Sequence, residues 1–190
     1  MSYDIELVDR TTGDVIQLPT KHLMTGGTFR AEYDHKTDTF SPLPISDAWL
    51  NITYNYAHYY YEATEGDERF GESGGIRGIY GKTGAESIAL LDTMITRITD
   101  KYTKDGEWIT TTRVKSRYYD SNGTEISEDE YRDSIFNCTA KNYTAKDYKA
   151  EISEGYTDDY WEPTAANAIK PLWQLRAMAS LRPDGVWTGD

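Results

Sequence analysis

The sequence predicts an α+β fold. Three patterns carry that prediction: a strand-like alternation at the N-terminus, a capped apolar helix opening at Thr83, and a hairpin pattern centred on residues 120–123. Tyr3, Ile5 and Leu7 fall on one side of the first segment and Asp4 and Glu6 on the other, the period of a half-buried strand. Thr12-Gly13-Asp14 then turns the chain into Val15-Ile16-Gln17-Leu18. Further strands are expected over 28–33 and over 49–56, where WLNITYNY alternates; a polar stretch with Pro42 and Pro44 separates them. Tyr59, Tyr60, Tyr61 and Glu62 begin a short helix before a Gly-rich acidic loop at 64–78.

The clearest helix follows. Thr83 caps it while Glu86, three residues on, reaches back as in a capping box. Ile88, Leu91, Ile95 and Ile98, with Leu90 and Met94, repeat at helical spacing over 84–101. Residues 107–119 are Thr- and Arg-rich with strand propensity, Asp120-Ser121-Asn122-Gly123 is a tight-turn signal, and residues 124–127 form the returning strand. A helix is predicted from Ser127 through Phe136. The last helix, 163–181, has Pro163 in its first turn, where proline is tolerated, and Pro171 inside it, where proline kinks or splits a helix. Ala168, Leu172, Leu175, Met178 and Ala179 form its apolar face, and Arg182-Pro183-Asp184-Gly185 ends it. The predicted architecture is one domain, 1–190: a small antiparallel sheet packed by two main helices (core 1–101 and 156–190), with an inserted hairpin-and-helix lobe at 102–155.

Composition narrows the function classes. Hydrophobic content of 38% with 13% aromatic residues is too rich for a disordered chain. A net charge of −12 repels phosphate, so direct nucleic-acid binding is disfavoured except through Arg113, Lys115 and Arg117, which alternate along one strand. The same charge draws the protein toward basic surfaces; its plainer role is to keep the chain in solution. With Cys138 as the one cysteine, no basic-plus-apolar leader and no membrane-length apolar run, the chain reads as intracellular. The N-x-S/T sequons at Asn51, Asn122, Asn137 and Asn142 then carry no meaning, and Cys138 reads as a small buried filler.

Two stretches imitate active sites. Gly71-Glu72-Ser73-Gly74-Gly75 has the letters of a serine nucleophile elbow, which requires a strand before it and a helix after it. Neither flank has that character, and His22, His35 and His58 all precede it. Gly81-Lys82-Thr83 ends like a phosphate-binding loop, yet the position that needs the first glycine is Ile76, and Thr83 is better used as a helix cap. His58 and Glu62 share a helix face but lack a third metal ligand of matching spacing. No cofactor is indicated. The tyrosines at 54, 56, 59, 60 and 61 suit an interface or a core edge equally.

Carboxylates cluster in three places. Asp120, Glu125, Glu128, Asp129, Glu130 and Asp133 face Arg132 alone; Glu151, Glu154, Asp158, Asp159 and Glu162 have no basic residue among them; Glu62, Glu65, Asp67, Glu68 and Glu72 surround the Gly-rich loop. A solvated face with good helix-start charges explains such clusters without a function. Mimicry of a nucleic-acid backbone is the functional alternative. One helix face places carboxylates about 6 Å apart along its axis, sparser than the roughly 1.7 Å per charge of duplex DNA, so two acidic elements together are needed. The candidate partner-binding residues are therefore Asp120, Glu125, Glu128, Asp129, Glu130, Asp133, Glu151, Glu154, Asp158 and Asp159.

The stretches MSYDIELVDRTTGDVIQL, LNITYNYAHYYYE, GIRGIYGKTGAESIALL, TDDYWEPTAANAIKPLWQL and LRPDGVWTGD, a little under half the chain, resemble a family of small proteins carried by phages and mobile elements of Gram-positive gut bacteria. Some proteins of this kind resemble type II anti-CRISPR proteins, and shorter ones lack most of residues 102–155. What the resemblance implies is an inhibitor of a type II CRISPR nuclease–guide RNA complex, acting in the cytoplasm of a bacterial host cell. It brings no functional residue; the carboxylates come from the charge pattern. The alternatives are a non-inhibitory adaptor for another basic host protein, and an enzyme, either a guide-RNA nuclease or an NTPase acting through Lys82.

Overall fold

The computed structural model describes residues 1–28, 30–139 and 141–190. It is α+β. In chain order its elements are β1 (Ser2–Val8), β2 (Gln17–His22), β3 (Ala31–Asp34), β4 (Thr39–Pro42), β5 (Ile45–Asp47), β6 (Trp49–Thr53), α1 (Ala57–Thr64), α2 (Gly84–Tyr102), β7 (Thr103–Lys104), β8 (Glu107–Trp108), β9 (Thr110–Tyr119), β10 (Glu125–Ile126), α3 (Glu128–Phe136), β11 (Thr144–Ser153), α4 (Ala165–Leu181) and β12 (Val186–Gly189). They divide into two compact units, residues 1–109 with 154–190, and residues 110–153. Residues 102–109 belong with the first: Tyr102 is buried, and Thr103 pairs with Trp108.

In the core unit β1 is the central strand of an antiparallel sheet, between β6 and β12. Tyr3, Ile5 and Leu7 are buried while Asp4 is exposed, so the alternation in the sequence maps onto the two faces. The pairing Ile5↔Leu50 and Leu7↔Trp187 brings both chain ends to this strand. The sequence treats residues 182–190 only as the stop of a helix; β12 is a strand that depends on a distant partner. Segment 15–18 turns back along the end of β1, where Val15 bridges Val8 and the Ile16 amide donates to the Leu7 carbonyl at 2.9 Å, before β2 pairs with β5 in a separate two-stranded ladder. The strand expected over 28–33 is seen as β3, hairpinned to β4; Phe29 lies outside the described residues.

The capping box of α2 is present in full. Thr83 Oγ1 accepts from the Glu86 amide at 3.2 Å, and the Glu86 carboxylate accepts from the Thr83 amide at 2.8 Å. Leu90, Leu91, Met94, Ile95 and Ile98 line the buried side of α2, which packs on α4. Thr164, not Pro163, opens α4: its hydroxyl accepts from the Asn167 amide. The helix runs through Pro171 as one continuous element, so of the expected kink or split the split does not occur. Pro171 is buried, and its ring fills the space a Cβ on Gly26 would need, 3.0 Å away, so packing offsets the missing amide. Tyr56, Tyr59 and Tyr60 are wholly buried, which settles most of the tyrosine cluster as core. Among the described residues no helix is long and apolar enough to cross a membrane.

The second unit is an antiparallel sheet in the order β10-β9-β11, with α3 against it. The turn at 120–123 forms as expected, with Gly123 at a φ of 79° and the Asp120 amide donating to the Thr124 carbonyl at 2.9 Å. Ser127 caps α3. The strand β11, for which the local sequence gives little signal, pairs with β9 along its whole length, from Thr144↔Tyr119 to Ser153↔Thr110. Cys138 is exposed, with a φ of 56° just beyond α3, so it is not a core filler.

Candidate functional site: an acidic and aromatic loop held by Asn167

Both apparent active sites dissolve in the structure. Ser73 lies on an exposed loop between two short 3-10 turns, without the strand and helix of a nucleophile elbow. His22 contacts the Asp47 carbonyl, His35 packs on Tyr33 and His58 on Tyr59, so each histidine is engaged elsewhere. A phosphate cradle needs unengaged amides at the helix start. Here the amides of Gly84, Ala85, Glu86 and Ser87 donate to Gly185, Pro183, the Thr83 hydroxyl and the Thr83 carbonyl. Glu62 bonds Lys101 and Tyr102. No three His, Cys, Asp or Glu side chains converge as metal ligands among the described residues.

The carboxylates split between the units. Asp120 is engaged in its turn, accepting from the amides of Asn122 at 2.9 Å and Thr124 at 2.8 Å. Glu128, Asp129 and Glu130 occupy the first turn of α3, where acids offset the macrodipole, and Asp133 follows one turn on; all four are exposed. Glu125 lies 3.9 Å from Arg117, and Glu151 is exposed on β11. Between 110 and 153 there are seven Lys and Arg against eight Asp and Glu, a net −1, which leaves −11 of the −12 on the core unit.

Glu154 is corrected. It is 0% exposed and cannot meet a partner. Its carboxylate accepts from the Tyr59 hydroxyl and, at 3.1 Å, from the Ala165 amide in the first turn of α4. The next carboxylates, Asp158, Asp159 and Glu162, are exposed, and no Lys or Arg pairs with them among the described residues. They sit on a loop whose backbone is held by the buried side chains of Asn167 and Tyr56 and by Asn55. The amide nitrogen of Asn167 lies 3.0 Å from the Thr157 hydroxyl, 3.0 Å from the Asp159 carbonyl and 3.3 Å from the Glu162 carbonyl. Asn55 donates to the Trp161 carbonyl at 2.7 Å, and Tyr56 to the Tyr160 carbonyl.

Thus anchored, the loop turns two large rings outward. Tyr156 is 57% exposed and Trp161 50%. The Lys170 ammonium stands 3.3 Å above the Tyr156 ring, and burial lowers its pKa. The Trp161 amide donates to Asp159 Oδ1 at 2.9 Å, and the Tyr156 hydroxyl to Asp158 Oδ1 at 2.8 Å. The loop thus combines exposed aromatic rings, exposed carboxylates and a preorganised backbone, features that lower the cost of forming an interface. Sequence reasoning found Asp158 and Asp159 and missed Tyr156, Trp161 and Asn167. The signal was the aromatic interleaving in YTDDYWEP, which charge counting passes over.

The third acidic cluster borders a depression of about 820 Å³ beside Gly71 and Ser73. Asp67 is neutralised there by Arg69 at 2.6 Å and Arg97 at 2.9 Å. Glu65, Glu68 and Glu72 have no such cation among the described residues. Hydrogen bonds from Arg69 hold the Asp67 carboxyl well below its usual range despite partial desolvation, with Arg97 adding to them. Asp184 is lowered by Arg182, and Glu86 by the Thr83 amide. Their stabilisation is complete above an unfolded carboxylate pKa of about 4 and is lost as pH falls through the depressed folded values. Urea midpoints are therefore expected to hold level from about pH 7 to 5 and to drop below about pH 4. Replacing Arg69 and Arg97 by Ala should make that drop shallower; an unchanged acid slope would show that this cluster does not contribute.

Protein-family models, curated proteins and solved structures were each compared with the chain, and none matches it.

Proposed function

We propose that this chain is a binding protein that presents carboxylates and aromatic rings to a Lys/Arg-lined nucleic-acid channel, acting as an anti-CRISPR-type inhibitor of an RNA-guided type II nuclease. The observation that carries the reading is the loop of residues 155–162, with Tyr156 and Trp161 exposed among Asp158, Asp159 and Glu162 and its backbone fixed through Asn167. Such a nuclease holds its heteroduplex in a positively charged channel and reads a short duplex motif with arginines. An acidic surface is steered to that channel, and a rigid aromatic anchor supplies the short-range affinity that charges alone do not. The resemblance of the N- and C-terminal stretches to phage-borne proteins supports this choice of target; the loop supplies the chemistry.

The test is stoichiometric. The protein is expected to co-elute with the nuclease–guide complex on gel filtration and to block DNA cleavage at about one equivalent. The complex should weaken as ionic strength rises. Trp161→Ala should weaken binding about 30-fold, the cost of losing a central aromatic anchor. Asp158→Asn with Asp159→Asn should slow association and flatten the salt dependence. Cleavage unaffected by a large molar excess, with no complex on the column, would overturn the proposal. Capture of a different basic protein through the same Trp161-dependent loop would keep the surface and replace the target.

A further inference from the structure

The pairing of β9 with β11 sorts the second unit's charges by face. Directly paired residues of an antiparallel ladder share a face, and neighbours along a strand alternate. Arg113, Lys115, Arg117 and Tyr119 therefore point one way, joined by Lys146 opposite Arg117 and Tyr148 opposite Lys115. Two contacts confirm that these side chains lie together: the Arg117 guanidinium is 4.6 Å from the Tyr148 ring centroid, and Lys146 Nζ is 5.2 Å from that of Tyr119. Glu125, paired with Tyr119, is the one carboxylate on this face among the described strand residues. The opposite face carries Asp147 and Glu151 with Lys149 between them, and there Tyr118 stacks on Tyr131 of the acidic helix α3 at 4.5 Å. The unit's near-zero net charge thus conceals one cationic face and one acidic face.

We propose that the face formed by Arg113, Lys115, Arg117, Tyr119, Lys146 and Tyr148 binds single-stranded nucleic acid. Lys115, Arg117, Lys146 and Tyr148 are exposed. Successive cations on β9 stand about 6.8 Å apart, a step that an extended polynucleotide backbone can follow. The two tyrosines between the cations offer ring faces on which bases stack without regard to sequence, the arrangement that single-strand binders use. Cations alone would fit an acidic protein equally well; cations interleaved with the exposed Tyr148 ring and the half-buried Tyr119 ring favour a polynucleotide. The proposal concerns this chain by itself and does not depend on the identity of a protein partner.

Fluorescence anisotropy of the full chain with labelled oligo-rU and oligo-dT of about 20 nucleotides tests it. Binding in the range of about 1–100 µM is expected near 0.1 M salt, as for contacts to a few phosphates. Four cations on a single strand predict a fall of about 50-fold between 50 and 200 mM salt. Lys115→Ala with Lys146→Ala should weaken binding at least tenfold and roughly halve the salt slope, while Tyr148→Ala should weaken it about tenfold and leave the slope in place. Lys82→Ala, which removes a cation from the core unit, should change neither. A preference for rU or dT assigns the strand as RNA or DNA. No binding to either oligonucleotide by 100 µM protein at 50 mM salt overturns the proposal. So does binding that the Lys115 and Lys146 replacements leave intact, or tighter binding of poly-glutamate, which would assign the face to an acidic protein.

Discussion

Trp187→Ala is expected to destabilise the core unit by about 3–5 kcal/mol, the usual cost of deleting a fully buried large aromatic side chain. Trp187 is 1% exposed and sits opposite Leu7 in the sheet. Its backbone is bonded on both sides to the chain that leads into α2, from the Trp187 amide to the Lys82 carbonyl at 3.0 Å and from the Gly81 amide to the Trp187 carbonyl at 2.9 Å. Its indole donates to the buried Ser87 hydroxyl at 2.8 Å, and that hydroxyl donates to the Gly84 carbonyl at 2.8 Å. One residue near the C-terminus thus joins the third strand of the sheet to the start of the longest helix. Trp187→Phe keeps most of the buried area and loses the indole bond, so about 1–2 kcal/mol is expected. Urea unfolding of the two variants separates packing from hydrogen bonding; equal losses would mean that the indole bond contributes most of the effect.

Glu154→Ala is expected to cost about 3 kcal/mol, and Glu154→Gln no more than about half of that. The reason lies in what each replacement leaves behind. Alanine strands the buried Ala165 amide, which has the carboxylate as its acceptor at 3.1 Å, and opens a void at the α4 N-terminus. The Tyr59 hydroxyl is less affected, because the Pro163 carbonyl lies 2.7 Å away as another acceptor. Glutamine keeps an oxygen for the Ala165 amide, and its own amide group can donate to the Tyr59 oxygen while Tyr59 turns to Pro163. The backbone of Glu154 also bonds Ile109 and Ala166, so the residue sits where the chain re-enters the core unit. Urea midpoints of the three proteins decide the matter. Equal losses for Ala and Gln would show that the negative charge, not the acceptor geometry, is what the site requires.

The two positions illustrate how legible the chain is. The alternation of β1, the Thr83–Glu86 box, the turn at 120–123 and the Ser127 cap depend on residues within one turn or one strand of each other, and each appears where the local pattern places it. The candidate site was legible in its charges and not in its shape. Asp158 and Asp159 announce themselves in any count of carboxylates, but nothing near Glu154 in the sequence tells it apart from them. Its burial follows from Tyr59, which lies 95 residues away. Asn167 likewise reads as an ordinary helix residue until the loop it holds is folded over it.

By itself the amino-acid sequence determined the helices, the first strand, the tight turn and the acidic balance, because these follow from backbone preferences and spacings spanning a few residues. Only the tertiary structure decided that residues 186–189 complete the central sheet, that β11 pairs with β9 and sorts cations from carboxylates across its faces, and that Glu154 is core while Asp158 and Asp159 are surface. Those outcomes rest on contacts between residues far apart in the chain, where burial and pairing are set by the partner that arrives and not by the neighbours in sequence.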